Sequence, residues 1–95
     1  MSKPEPALHC RFEAGVLTLA GRLGADEAGV LLAKAARHGG ALQRIDLAAL
    51  DDIDSAGVAS LRLLHREARA AGRTLALRPV SDRYRAISVA HRLDV

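Results

Sequence analysis

The chain has few aromatics. Phe12 and Tyr84 are the only two, and there is no tryptophan. Base-stacking platforms for nucleic acid need aromatic faces, so the shortage argues against that mode of binding. The single cysteine, Cys10, has no partner for an internal disulfide, which suits a reducing, cytoplasmic compartment. No stretch approaches the roughly 20 apolar residues of a membrane helix. The opening "MSKPEPALHC" lacks the apolar segment of a secretory signal. There is no G-x-x-x-x-G-K-S/T loop to cradle phosphates and no G-x-S-x-G elbow to present a nucleophile. Internal repeats and low-complexity runs are also missing.

With 95 residues the chain is expected to make one small domain, residues 7–95, behind a frayed leader over residues 1–6. Hydrophobic residues supply 49% of the sequence, enough to form a core without metals or disulfides. Much of that share is alanine, which suits close helix packing more than deep pockets. The formal charge of +3 permits acidic partners. The cations are scattered, however, and do not form the block that marks a nucleic-acid tail. Neither nucleic acid nor direct membrane insertion is expected.

Hydrophobic periodicity sets out the elements. Leu8, Cys10 and Phe12 alternate with His9, Arg11 and Glu13, which predicts a strand. Gly15 turns the chain into a second strand, "VLTLAG", completing a hairpin. "GADEAGVLLAKAARHGG" predicts a helix with Asp26 and Glu27 near its N-terminus and Gly39-Gly40 at its end. Gly29 inside that helix costs about 1 kcal/mol relative to alanine. "RIDLAAL" predicts a buried strand, "DDID" a loop and "SAGVASLRLLHREARAAG" the strongest helix, closed by Gly72. "RTLALRPV" predicts a strand with Leu75 and Leu77 facing one way, stopped by Pro79. "SDRYRAISVAHRL" predicts a last helix, N-capped by Ser81 or Asp82. The order β-β-α-β-α-β-α demands crossovers, so the fold class is α/β: a mixed sheet flanked by helices.

The junction "DDIDSAGVASL" raises the functional question. Asp54 or Ser55 is placed to N-cap the helix. Gly57 falls in the first turn, where a side chain would block close approach. The carboxyl end of a strand meeting a helix N-terminus is also where α/β sheets place binding sites. A phosphate on Ser55 would add about −1.5 to −2 charges. The helix dipole tolerates that charge, whereas Asp52 and Asp54 oppose it. Helical spacing puts Gly57, Leu61, Leu64, Ala68 and Ala71 on the core face. It gathers Ser55, Val58, Arg62, His65, Arg66 and Arg69 on another face, with Ala59 and Leu63 beside it. Such a stripe is either a solvated basic face or a docking face with apolar contact and a charged rim.

At these residues the sequence resembles the STAS domain family of anti-sigma factor antagonists and sulfate-transporter tails. The resemblance is carried by "IDLAALDDIDSAGVASLRLLHREARAAGRTLAL": a hydrophobic strand, an acidic D-S-x-G junction, a long helix, a glycine and a strand. It implies a STAS-like mixed sheet and protein–protein recognition centred on the junction, through Asp54, Ser55, Ala56, Gly57, Val58, Ala59, Arg62, His65, Arg66 and Arg69. In the antagonist branch, the serine that matches Ser55 is phosphorylated by a partner kinase, which is thereby released. In the MlaB-type branch, a small cytosolic subunit clamps onto the ATPase of a phospholipid ABC transporter. The short basic chain and the tail "VSDRYRAISVAHRLDV" look more like the MlaB type. The stretch "GRLGADE" departs from the antagonist pattern by having Gly24 where many antagonists carry an acid. The transporter reading is therefore preferred, with the anti-sigma kinase pathway as its alternative. It implies a cytoplasmic protein held at the inner membrane through its partner.

No metal, cofactor or catalytic role is expected. Asp46, Asp51, Asp52 and Asp54 offer oxygens that hard cations accept, but no Asp-x-Asp-x-Asp-Gly loop organises them. His9, His38, His65 and His91 show no zinc-like pairing with Cys10. Ser55 and His65 lie on one helix about 15 Å apart by rise per residue, too far for a catalytic hydrogen bond. Tyr84, Ile87 and His91 share a face of the last helix, opposite Arg83, Arg85 and Arg92, which are secondary interface candidates.

Overall fold

The computed structural model describes residues 7–78 and 84–86. Strands β1 (Leu8–Glu13) and β2 (Val16–Leu23) form the expected hairpin, antiparallel from Leu8↔Gly21 to Glu13↔Val16. Ala14 and Gly15 make its two-residue turn, both with positive φ (52° and 83°), the conformation whose twist matches that of the paired strands. Helix α1 (Ala25–His38) follows, then a 3-10 turn (Gly39–Ala41) and strand β3 (Arg44–Ile53). Helix α2 (Ser55–Ala70) leads to the two-residue strand β4 (Ala76–Leu77). The sheet runs in the order β1-β2-β3-β4, with β2, β3 and β4 parallel.

The two crossovers, β2–α1–β3 and β3–α2–β4, step across the sheet in the same direction. The right-handed rule puts both helices on one face, and there α1 and α2 pack against each other. The core lies between that helical layer and the sheet. Leu17, Leu19 and Leu23 of β2, Ile45, Leu47 and Ile53 of β3, Leu31 of α1, and Val58 and Leu61 of α2 are buried there. In β1 the predicted alternation holds. Leu8 is buried, Cys10 and Phe12 pack partly buried against the core, and His9, Arg11 and Glu13 are exposed. The Phe12 ring stacks on His38 at the end of α1, with centroids 3.7 Å apart.

Two elements differ from expectation. The "DDI" predicted as loop continues strand β3, and β3 stays paired with β2 by bulging twice. The register steps from Thr18↔Asp46 to Ala20↔Ala49, and again from Gly21↔Leu50 to Arg22↔Asp52. Each step inserts one residue into β3 and breaks its alternation. Ala48 and Ala49 are both exposed, Asp51 and Asp52 point outward, and Ile53 returns to the core. The strand predicted over 73–80 is reduced among the described residues to Ala76–Leu77, which pairs with Arg44 and Ile45. Leu75 is buried, and Leu77 packs partly buried against the core. Pro79 and both predicted caps, Ser81 and Asp82, lie outside the described residues, as do Arg83, Ile87, His91 and Arg92. Residues 84–86 are helical, with Tyr84 buried and Arg85 exposed.

Gly57 shows why the sequence needs a residue without a side chain in the first turn of α2. A β-carbon there would run into the backbone carbonyl oxygen of Leu23 and lie 2.9 Å from Ile53 Cγ1. Backbone cannot yield as a flexible side chain can. Gly57→Ala is therefore expected to destabilise the domain by about 1–3 kcal/mol or more through overpacking. Gly29 is the contrast: it is exposed on α1 with open space where a β-carbon would go. Gly29→Ala is expected to stabilise by about 0.5–1 kcal/mol. Urea midpoints of the two variants, read at constant m-value, check both signs.

Candidate docking site at the strand–helix junction

Strands β2 and β3 end level, at Leu23↔Ile53, and each turns at once into a helix. The first turns of α1 and α2 are therefore neighbours, and each is closed by a carboxylate. Glu27 accepts from the Gly24 amide at 3.0 Å, and Asp54 accepts from the Gly57 amide at 2.9 Å. Arg22 Nε sits 3.5 Å from Glu27 Oε1 and pairs with that acid. The Asp54 amide donates to the Leu23 carbonyl at 3.3 Å, which pins the start of α2 to the end of β2.

Asp54 therefore takes the N-cap position that the sequence left open between two residues. Ser55 becomes the first helical residue. It is exposed, and its hydroxyl makes no hydrogen bond among the described residues. A capping role for Ser55 is thereby removed, and its oxygen stands at the mouth of the junction.

The predicted stripe is brought together only in part. Ser55, Ala59, Arg66 and Arg69 are exposed, and Ala56, Arg62 and His65 are half-buried. Leu63, beside the stripe, is 36% exposed, a high value for so large an apolar side chain. Val58 is a correction: it was assigned to the outer stripe but is 0% exposed and belongs to the core. It lies only about 60° round the helix from Leu61, and the buried arc widens where α2 meets the sheet. Gly57 is buried by its contact with Leu23, so it shapes the site without presenting a surface. Ala71, expected on the core face, is exposed, because it lies past the end of α2 as the C-cap. The helix closes there with Arg73 N–H donating to the Ala68 carbonyl and Gly72 N–H to Arg69. Ser60 was missed by the sequence reading. It is buried and donates to the Gly57 carbonyl at 2.7 Å, satisfying its hydroxyl within its own turn.

The aspartates diverge. Asp46 accepts from the Ala48 amide at 2.9 Å on the sheet, Asp51 and Asp52 face solvent, and Asp54 caps α2. Among the described residues no three His, Cys, Asp or Glu side chains converge as a metal site. Cys10 packs half-buried, with its thiol pushed up by burial against the opposing pull of Lys34. Among the described residues no helix is long and apolar enough to cross a membrane. At the far end of α2 the charge reverses sign. Arg62, His65, Arg66, Arg69 and Ala70 line a shallow groove of about 450 Å³. Burial, then Arg62 and Arg69, push the His65 imidazole below its usual 6.5. The outer side of α2 is thus acidic around Ser55 and basic at its tail.

Two outcomes follow from the caps and from His65. Asp54→Ala is expected to cost about 1 kcal/mol, whereas Ser55→Ala stays within about 0.5 kcal/mol, as measured by chemical denaturation. For His65 the unfolded chain binds the proton first as pH falls. The domain therefore loses stability below about 6.5, and stability is regained as pH rises. A denaturation series against pH is expected to show a shallower acid loss for His65→Gln than for wild type.

The comparisons agree with this architecture. The family model described as "Mlab, STAS domain" matches residues 7–95. No curated protein matches the chain. Among solved structures the chain is similar to the anti-sigma factor antagonist SpoIIAA in its unphosphorylated form. The likeness has a TM-score of 0.61 at 20% identity and covers 84% of this chain and 80% of that one. It is also similar to part of the crystal structure of Mglu, with a TM-score of 0.60 at 17% identity, covering 80% of this chain and 20% of that one. Both likenesses concern the fold. The mixed sheet with both helices on one face and the match over residues 7–95 together make this chain a member of the MlaB-type STAS domain family.

Proposed function

We propose that this chain is a docking subunit without chemistry of its own, which binds the ATPase subunit of a phospholipid ABC transporter. The supporting observation is the state of Ser55. Asp54 has taken over capping, so the Ser55 hydroxyl is exposed at the head of α2 and available to a partner. The contact surface runs from Asp54, Ser55 and Ala56 along Ala59 to Arg62, His65, Arg66 and Arg69. Its apolar centre and charged ends have the composition of a protein interface. Membership of the MlaB-type family favours a transporter ATPase as the partner. The protein then works in the cytoplasm, held at the inner membrane through that ATPase.

A second reading rests on the same hydroxyl. An exposed serine free of capping is open to a kinase, and a phosphate there would stand beside the Asp54 carboxylate. In an anti-sigma pathway that charge would release the partner by repulsion, with the fold intact.

Co-purification with the candidate ATPase tests the first reading, together with the ATPase rate in the presence and absence of this chain. A complex and a changed rate are expected. Ser55→Asp is expected to weaken the complex about tenfold or more, as a charge placed in a contact made for a neutral group. An unchanged rate with no complex rejects the transporter reading. A Ser55 phosphopeptide in the native protein, with a kinase captured in place of an ATPase, establishes the second.

A further inference from the structure

At the tail of α2, Arg66 and Arg69 carry positive charge that no acidic side chain answers among the described residues. Arg66 and Arg69 are exposed, and neither makes a salt bridge among the described residues. Arg62 is half-buried, with Nε and Nη1 withdrawn from water, so its guanidinium has a set position in the groove wall. Glu67, the one acid on this helix, lies roughly 100° round from Arg66 and does not line the groove. Arg66 and Arg69 are spaced three apart, neighbours on the helix surface, and like charges there oppose each other. The dipole at the C-terminal end of α2 relieves only part of that cost. An incoming anion would relieve the rest.

The cations of this helix are arginines and one histidine, with no lysine. Planar guanidinium forks match carboxylates in pairs. A bilayer fits the surface poorly: among the described residues Ala70 is the one apolar residue lining the groove, while the acidic head of the same helix, with Asp51 and Asp52 exposed, would be repelled by a uniformly anionic surface. A folded partner can place opposite charges at the two ends. Arg66 also lies on the same outer side of α2 as Ser55 and Ala59, so the groove is continuous with the docking face.

We infer that the groove formed by Arg62, His65, Arg66 and Arg69 receives an acidic segment of the partner protein, whose glutamate or aspartate carboxylates bridge Arg66 and Arg69. The inference rests on the docking reading and gives the partner its chemistry. The segment anchors the tail of α2 while the neutral junction at Ser55 fixes the head, so the two ends set the direction of docking.

Fluorescence anisotropy with a labelled octaglutamate peptide tests it, using the whole chain. Wild type is expected to bind in about 50 mM salt and to weaken about tenfold by about 300 mM, as screening shortens the reach of the arginines. The double variant Arg66→Glu, Arg69→Glu is expected to lose at least about tenfold in affinity. The charge-matched pair Arg11→Glu, Arg44→Glu lies on the open face of the sheet and is expected to stay within about threefold of wild type. Thermal unfolding of each variant establishes that it is folded. The inference is overturned if wild type ignores the peptide, if both double variants lose affinity equally, or if the chain sediments with phosphatidylglycerol vesicles in preference to the peptide. Capture of the candidate ATPase separates the two claims. If Arg66→Glu, Arg69→Glu captures it as well as wild type, the acidic segment is refuted and the docking reading stands. Peptide binding that follows the arginines, with no ATPase captured, supports the groove and refutes the transporter partner.

Discussion

The molecule depends on one close approach, that of the first turn of α2 to the last carbonyl of β2. The Leu23 oxygen receives the Asp54 amide and has Gly57 packed directly against it. Because that contact is backbone on backbone, it sets the height and direction at which α2 leaves the sheet. Val58 and Leu61 then fall into the core, and Ser55 falls outside it. A helix standing one β-carbon further from the sheet would leave Ile53, Leu23 and Val58 less tightly enclosed.

The same seating divides labour between adjacent residues. Asp54 is turned inward to close the helix and Ser55 is turned outward. One residue therefore meets the structural need of the helix terminus, and the next can be altered at little cost to the fold. That separation suits a recognition element, because affinity can then be tuned without touching stability. The neighbouring terminus of α1 follows the same plan with Glu27 and Arg22. Carboxylates thus occupy both helix N-termini, and Ser55 is left as an exposed neutral hydroxyl in an acidic setting.

Charge along α2 gives the face a direction. Its head lies beside outward-pointing aspartates that the two bulges of β3 keep out of the core, and its tail carries arginines at helical spacing. Single surface charges contribute little to stability in water. In the docking reading proposed above, their effect is on encounter and orientation, where a bipolar face would distinguish one docking direction from its reverse. The apolar strip between the ends, Ala59 and the exposed part of Leu63, would add to such a contact area that charge alone does not supply.

The sequence by itself determined the order of the described elements, the hairpin and both long helices. Those features are written in local periodicity and in residues with one dominant use, such as the glycine after each long helix. The extent of β3 was hidden because bulges disrupt the two-residue alternation from which a strand is read, and "DDI" has the composition of a loop. Whether Asp54 or Ser55 caps α2 was open because both oxygens are suited to the task. Only the backbone path out of Ile53 selects between them. Val58 was misplaced because a helical wheel knows the spacing of residues but not the width of the surface they meet. Burial at position 58, exposure at position 55 and the gathering of the arginines into one groove depend on where α2 rests against β2 and β3. That is a contact between residues distant in sequence, and only the tertiary structure decided it.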